Sequence, residues 1–211
     1  MDFNQLTNTK NTNNHFLPIL ILMSFLITSV SCKSTSGTFK DKRDNKTYNW
    51  IQIGNQIWMS DNLAYKVDSD GYLVYKNKEE NLSKYGYLYD WTTANKVAPT
   101  GWHLPTDKEW KELTDFLIDN NFGYDYDYDS IMNSEYSNHI DKSGFRDIPS
   151  GYAGSNGVFR NLGKYGYWWT ASEYNNRDAW FVILNYDYKN VYVNFRKYNK
   201  EFHYAVRCVK D

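Results

Sequence analysis

One segment constrains the fold more than any other. After Pro105 the chain reads Thr106-Asp-Lys-Glu109, followed by Trp110, Leu113, Phe116 and Leu117. A threonine at a helix N-cap accepts a hydrogen bond from a first-turn N–H, and a glutamate three residues later reaches back to the N–H of the cap. Such a box ahead of an apolar run marks a helix start. The apolar residues recur at spacings of three and four, which gathers them into one stripe against a core. The spacing predicts a helix of about three turns, ending at Ile118 and stopped by Asn120 to Gly123. This is the clearest helix in the chain, and the patterns on either side of it are those of strands.

Before the helix, TYNWIQIGNQIWM from Thr47 to Met59 alternates β-formers around Gly54-Asn55, the pattern of a hairpin. Asp68 to Gly71 supplies turn chemistry. YGYLYDWTTA from Tyr85 to Ala94 is a Tyr-rich strand passing into a short helix, with the boundary between them open. After the helix comes a polar, irregular stretch from Tyr124 to Ser143. The last third is glycine-rich and aromatic and reads as several antiparallel strands. Val191, Val193 and Phe195 share one face there, Tyr192, Asn194 and Arg196 the other, and Lys189-Asn190 sits at a hairpin turn. Val206 and Cys208 are expected to point inward on the final strand. Strands, helix, long loop and strands, in that order, predict an α+β fold: small antiparallel sheets, one main helix and a long irregular loop region. A chain of 211 residues holds one well-buried domain of this kind, and is too short for two once an export segment is set aside.

The export segment is Phe16 to Val30, FLPILILMSFLITSV, an apolar run of 15 residues. A helix needs about 20 to span a bilayer, so the run fits the h-region of a signal peptide better than a span. Lys10 and His15 precede it, and Ser29, Val30 and Ser31 lead into Cys32, the arrangement that a lipoprotein signal peptidase reads. Residues 1–31 are therefore expected to be a lipoprotein signal peptide, with Cys32 as the lipidation site and the membrane as a partner through that lipid anchor. Ser29 stands where a leucine is usual, and an uncleaved membrane anchor or ordinary secretion are the other readings. All three put the rest of the chain outside the cytoplasm. Lys-Ser-Thr-Ser-Gly after Cys32 predicts a flexible tether over residues 32–40, followed by one domain over residues 41–211. The expected location is the cell envelope, lipid-anchored at the outer membrane, with the periplasmic and external faces both open.

Charge and motifs narrow the chemistry. With 24 basic and 25 acidic residues and a formal net charge of -1, the chain has no basic footprint for nucleic acid. Aromatic residues make up 18%, a share more familiar in extracytoplasmic binding domains than in cytosolic enzymes, and most of these rings are expected to fill the core. Asp125, Asp127 and Asp129 alternate like the start of an EF-hand loop, but Ser130 and Tyr136 stand where that loop needs Gly and Glu. His103, in Trp-His-Leu-Pro, reads as a structural histidine, and His139 and His203 are isolated. Glu173 and Asp178 would have to meet at a fixed separation to act as glycosidase acid and nucleophile, which their spacing in sequence does not establish. There is no His-x-x-x-His, Cys-x-x-Cys, Gly-x-Ser-x-Gly or phosphate loop. No catalytic residue, metal site or cofactor is expected.

Six blocks, IGNQIWMSDNL, YGYLYDW, GWHLPTDKEWKEL, SGFRDIPSGY, YGYWWTASEY and VRCVKD, follow in order between Asp41 and Asp211. Together they resemble the Fibrobacter succinogenes major paralogous domain, common in lipoproteins and surface proteins of Bacteroidetes-like bacteria. The resemblance implies a C-type-lectin-like fold whose N- and C-terminal strands lie together. It also implies a disulfide between the cysteine of Arg-Cys-Val and one just before Pro-x-Gly-Trp. Here Ala98 precedes Pro99-Thr-Gly-Trp102, so Cys208 is expected to be a buried free thiol, with a reactive surface thiol as the other reading. The Glu-Pro-Asn and Trp-Asn-Asp runs of calcium-dependent lectins are absent. Formylglycine-generating oxidases have a related fold but work through a reactive cysteine pair, which Cys208 alone cannot supply. The expected function is a non-catalytic binding or adhesion module for polysaccharide or a surface protein of the envelope. Its ligand-binding residues are not identified by sequence. A structural or assembly subunit at the outer membrane is the first alternative, and an enzyme on the oxidase-like fold the second. Trp168 and Trp169 are expected on opposite faces of one strand, one ring in the core and the other toward the loop-rich face where such domains bind. Trp169, which shares parity with small Ala171, is the favoured core member.

Overall fold

The computed structural model describes residues 35–120, 124–125, 143–146, 148–185 and 191–211. Ser36–Lys40 (β1), Thr47–Ile53 (β2) and Gln56–Met59 (β3) form an antiparallel meander. Ile53 pairs with Gln56, which makes Gly54-Asn55 the two-residue turn expected, with Gly54 at φ 58 in the left-handed region that glycine adopts without strain. β1 shortens the tether expected over residues 32–40, because Ser36 to Lys40 pair with Ile51 to Thr47. Serine, glycine and threonine suggest a linker, but Phe39 stacks on Trp102 with ring centroids 4.5 Å apart and pins the strand to the domain.

Next come Tyr72–Leu73 (β4), the helix Glu79–Tyr85 (α1), Leu88–Tyr89 (β5), the helix Trp91–Ala94 (α2) and Trp102–His103 (β6). The open boundary between Tyr85 and Ala94 thus falls at Asp90, whose side chain caps α2 by accepting from the Thr93 N–H. α1 has no side-chain cap and a polar sequence, so nothing in its pattern announces it. The helix Asp107–Asp119 (α3) carries both bonds of the predicted capping box and buries Trp110, Leu113 and Leu117. Phe116 packs half-buried on the same cluster, and Asn120 is the C-cap.

The remaining strands are Tyr124–Asp125 (β7), Tyr152–Ala153 (β8), Phe159–Arg160 (β9), Tyr165–Glu173 (β10), Asp178–Asn185 (β11), Val191–Asn199 (β12), Tyr204–Ala205 (β13) and Val209–Lys210 (β14). They complete a five-stranded sheet, β1-β2-β3-β14-β6, a seven-stranded sheet, β4-β5-β13-β10-β11-β12-β7, and the pair β8-β9. The pairing is mainly antiparallel, as expected, but β13 runs parallel to β10 and β7 parallel to β12. The architecture is therefore α+β, with small, mostly antiparallel sheets and few helices. Asn185 pairs with Tyr192, so β11 and β12 form the expected hairpin, although Lys189 and Asn190 lie outside the described residues. Val209 of β14 pairs with Trp58 on one side and His103 on the other, which brings the first and last strands of the domain into one sheet. All described residues belong to one compact unit, Lys33–Asp211; residues 1–31, expected to be a signal peptide, and Cys32 lie outside them.

β10 and β11 divide the core in two. Trp168 pairs with Val182 and Trp169 with Phe181, so neighbouring residues point to opposite faces. On one face Trp168, Val182, Leu184 and Val193 pack with Trp110, Leu113 and Leu117 of α3. On the other, Tyr167, Trp169, Ala179 and Phe181 pack with Tyr48, Met59, Tyr89, Leu104, Tyr204 and Cys208. The expectation that one of the two tryptophans faces outward is corrected: both have 0% exposure. The alternation holds, but each face of the strand has its own cover. Trp168 Nε1 donates to Asn62 Oδ1 and Trp169 Nε1 to the Tyr89 carbonyl, so neither buried indole N–H goes unpaired. Gly166 makes room for this packing, since a Cβ there would collide with the Trp168 ring.

Val206 and Cys208 are buried, as expected, but Arg207 between them is also fully buried, because 206–208 lies between β13 and β14 and does not alternate as a strand. Cys208 forms no disulfide among the described residues. Ala98 packs on the same cluster, and Arg43 donates to the Val97 carbonyl at 2.9 Å and the Ala98 carbonyl at 3.3 Å while gripping Asp41. A non-covalent clamp thus holds the segment where the resemblance implies a disulfide.

Candidate functional site

The groups that carried chemical potential in the sequence are tied into the framework. His103 sits between two carboxylates, Nδ1 2.7 Å from Asp211 Oδ1 and Nε2 2.7 Å from Glu109 Oε1. The other oxygen of Glu109 accepts from the N–H and hydroxyl of Thr106. Burial works against a charged imidazole, but the two carboxylates outweigh it and raise the His103 pKa. Burial likewise opposes ionised Glu109, and the bonds from Thr106 and His103 overcome it, lowering its pKa. His103 joins the C-terminus, β6 and the start of α3, the structural role expected.

Glu173 and Asp178 are each engaged locally. Lys200 Nζ binds the Glu173 carboxylate and the carbonyls of Asn175 and Asn176, while the Asp178 N–H donates to Asn175 Oδ1 within the turn between β10 and β11. Cys208 is fully buried, and burial pushes its thiol pKa well up, which disfavours the thiolate that a nucleophile requires. Asp127, Asp129 and His139 lie outside the described residues, as does the side chain of Asp125. Among the described residues no group of three or more His, Cys, Asp or Glu is placed to hold a metal.

Two polar features escaped the sequence reading. The first is a buried node at Asn62, whose Oδ1 accepts from Trp168 Nε1 and Arg207 Nη2, both at 2.9 Å, while its Nδ2 donates to the Tyr85 carbonyl. Arg207 also donates to the carbonyls of Phe145 and Arg146, and its guanidinium lies 4.4 Å from the Phe145 ring centroid. The node therefore fixes the segment before Pro149 against the two halves of the core. Its members stand in the blocks MSDNL, WWT and VRCV, and a charged residue between two buried ones was the available signal.

The second is a chain of rings that climbs out of the tyrosine-lined core. Tyr204, fully inside, lies 5.5 Å from Tyr167 and 5.9 Å from Tyr152. Tyr152 meets Phe202 at 6.0 Å in a stacked arrangement, and Phe202 meets Tyr198 at 4.5 Å edge-on. Tyr152 and Phe202 are half-buried and Tyr198 is 49% exposed. Tyr198 pairs with Ala179 across β11 and β12, so it extends the same face that carries Phe181 and Trp169. His203, between Phe202 and Tyr204, is largely buried, and burial lowers its pKa against the opposing pull of Asp90 and a backbone hydrogen bond at Glu201. The edge thus offers the exposed ring of Tyr198, the half-buried rings of Tyr152 and Phe202, and the anchored backbone of β8, whose Ala153 exchanges two hydrogen bonds with His203.

No helix among the described residues is long and apolar enough to cross a membrane. No curated protein and no solved structure matches the chain. The sequence profile of the Fibrobacter succinogenes major domain does, over residues 51–210, from the second half of β2 to the end of β14. The chain belongs to the Fibrobacter succinogenes major domain family.

Proposed function

We propose that this protein is a non-catalytic binding module of the cell envelope that takes polysaccharide on the aromatic edge of Tyr152, Tyr198 and Phe202, and that lipid on Cys32 anchors it to the outer membrane. The observation that carries the reading is the ring chain itself. Aromatic faces held rigid by a buried base meet the C–H faces of sugar rings at little cost in side-chain entropy. The base here is Tyr204, Tyr167 and Phe181, all buried, so Tyr198 and Phe202 rest on packed rings and not on solvent. The lectin-like fold implied by the family blocks agrees with a carbohydrate ligand. The rival reading, an assembly subunit, needs a broad apolar face. Among the described residues the exposed large apolar side chains are Val158 before β9, Tyr174 after β10 and Tyr198 on β12, in separate segments, which supports a ligand site over a subunit interface.

A glycan array probed with the chain tests the ligand class, and binding to neutral polysaccharide is expected. An array without signal, alongside capture of a single envelope protein, would favour the assembly reading. For the anchor, metabolic labelling with a fatty-acid probe should mark wild type and miss Cys32→Ala, and equal labelling of both would remove it.

A further inference from the structure

A cleft of about 400 Å³ opens where the turn before β2, the loop after β3 and the end of α1 meet the segment around Arg146. Among the described residues three cations line it, Lys46, Lys84 and Arg146, and one carboxylate, Asp61. The described lining is thus richer in cations than the chain as a whole, whose net charge is -1. Asp61 is already engaged: Oδ2 accepts from the backbone and side-chain N–H groups of Asn49, both at 2.8 Å, and Oδ1 accepts from Arg146 Nη1 at 2.9 Å. Neither Lys46 nor Lys84 has an ion-pair partner among the described residues; each ammonium lies 5.0–5.8 Å from the ring of its tyrosine neighbour, Tyr85 for Lys84 and Tyr48 for Lys46.

Arg146 is held with φ 50, a left-handed backbone that a non-glycine residue keeps only where its surroundings fix it. The fixing group is the buried Arg207, whose Nη2 donates to the Arg146 carbonyl at 2.9 Å. The fold therefore maintains a strained residue whose guanidinium belongs to the cleft. Leu82 and Ile148 add apolar wall, and the volume falls in the range of small-ligand sites.

We infer that this cleft binds the carboxylate of an acidic sugar unit, a uronate within a polysaccharide. Arginine offers a planar fork that matches a carboxylate, and the two lysines supply charge from neighbouring walls. Leu82 and Ile148 would meet the C–H face of the sugar ring. The sugar part of this assignment rests on the polysaccharide reading above; the anionic part rests on the cleft alone.

Titration calorimetry of the full chain with tetragalacturonate, and with a neutral galactose tetrasaccharide, tests it. The acidic probe should bind at least about tenfold more tightly, with affinity falling as salt is added. The exposed pair Lys46→Ala/Lys84→Ala should weaken tetragalacturonate about tenfold or more. Arg146→Gly, which suits the left-handed backbone and so keeps the fold, should weaken it by a similar factor. Tyr198→Ala should leave this affinity unchanged while weakening neutral polysaccharide, which separates the two sites. No binding of tetragalacturonate, equal binding of both probes, or indifference to the lysine pair would overturn the cleft and leave the aromatic edge standing. Inorganic phosphate binding as tightly as tetragalacturonate would show a general anion site and overturn the uronate assignment. If the lysine pair abolishes uronate binding while Tyr198→Ala leaves neutral polysaccharide binding intact, the edge fails and the cleft stands.

Discussion

The two faces of the β10–β11 sheet are built from different materials. The face under α3 is packed with Trp58, Trp110, Trp168, Phe145 and aliphatic side chains, and half-buried Phe116 and Phe195 lie at its margin. The opposite face is lined with tyrosines, Tyr48, Tyr87, Tyr89, Tyr167 and Tyr204, and its rings grade outward through Tyr152 and Phe202 to exposed Tyr198. Tyrosine can span such a gradient because its ring packs while its hydroxyl finds a partner or water. Tyr89 donates to the Tyr65 carbonyl and Tyr48 accepts from the Ala64 N–H, so these two deep hydroxyls are placed. The difference teaches that one face secures the fold, while the other secures it and also delivers a rigid aromatic surface to solvent.

The largest effect should come from the two tryptophans on which the faces meet. Trp168→Ala and Trp169→Ala should each destabilise by about 3–5 kcal/mol through lost burial and a cavity, measured by chemical denaturation. A tolerant Trp169 would break the claim that the tyrosine face is a full core. Next, Asn62→Ala should cost about 1–3 kcal/mol, because Trp168 Nε1 and one bond of Arg207 lose a buried acceptor. Asn62→Asp, which keeps the oxygen, should recover part of that loss in the same measurement.

Cys208→Ser should cost about 1–2 kcal/mol, a small buried group made polar. The native thiol should react slowly with a thiol reagent and quickly after unfolding. Rapid reaction of the folded protein would contradict the burial of the tyrosine-lined core at its C-terminal end.

The smallest effects are in the histidines, which act in opposite pH windows. The ordinary histidine value is 6.5. His103 has a raised pKa, so its contribution is full below that value and is lost as pH rises through the folded-state pKa. His203 has a lowered pKa, so its contribution is full above 6.5 and is lost as pH falls through the folded-state pKa. Thermal melts across pH should therefore peak near 6.5, His103→Gln should flatten the alkaline side and His203→Gln the mildly acid side. A wild-type profile that rises steadily through neutral pH would contradict the His103 clamp.

What sequence conveys in this chain depends on how local the signal is. The α3 capping box and the Gly54-Asn55 hairpin lie within a few residues of one another, and both formed as written. The opposite faces of Trp168 and Trp169 were legible because alternation is a property of one strand. Their shared burial was not, since α3 covers one ring and residues from Tyr48 to Leu104 cover the other. Residues 36–40 look like a linker because only Phe39 reveals the strand, through a ring 63 positions away by the numbering of Trp102. The aromatic edge and the cleft are assembled from separated segments, Tyr152 with Tyr198 and Phe202 in one case, Lys46 with Lys84 and Arg146 in the other. No local motif encodes either.

The central claim is that the tyrosine face ends in the binding surface while the tryptophan face does not. Tyr174 gives the matched control: it is 47% exposed against 49% for Tyr198, but it packs edge-on with Trp180 and under Lys197, on the other side of the hairpin. Neutral-polysaccharide affinity should be measured for Tyr198→Ala and Tyr174→Ala beside wild type, with melting temperatures taken on the same samples. The account predicts unchanged melting for both, lost affinity for Tyr198→Ala and retained affinity for Tyr174→Ala. Equal affinities in the two variants, whether both retained or both lost, would contradict it.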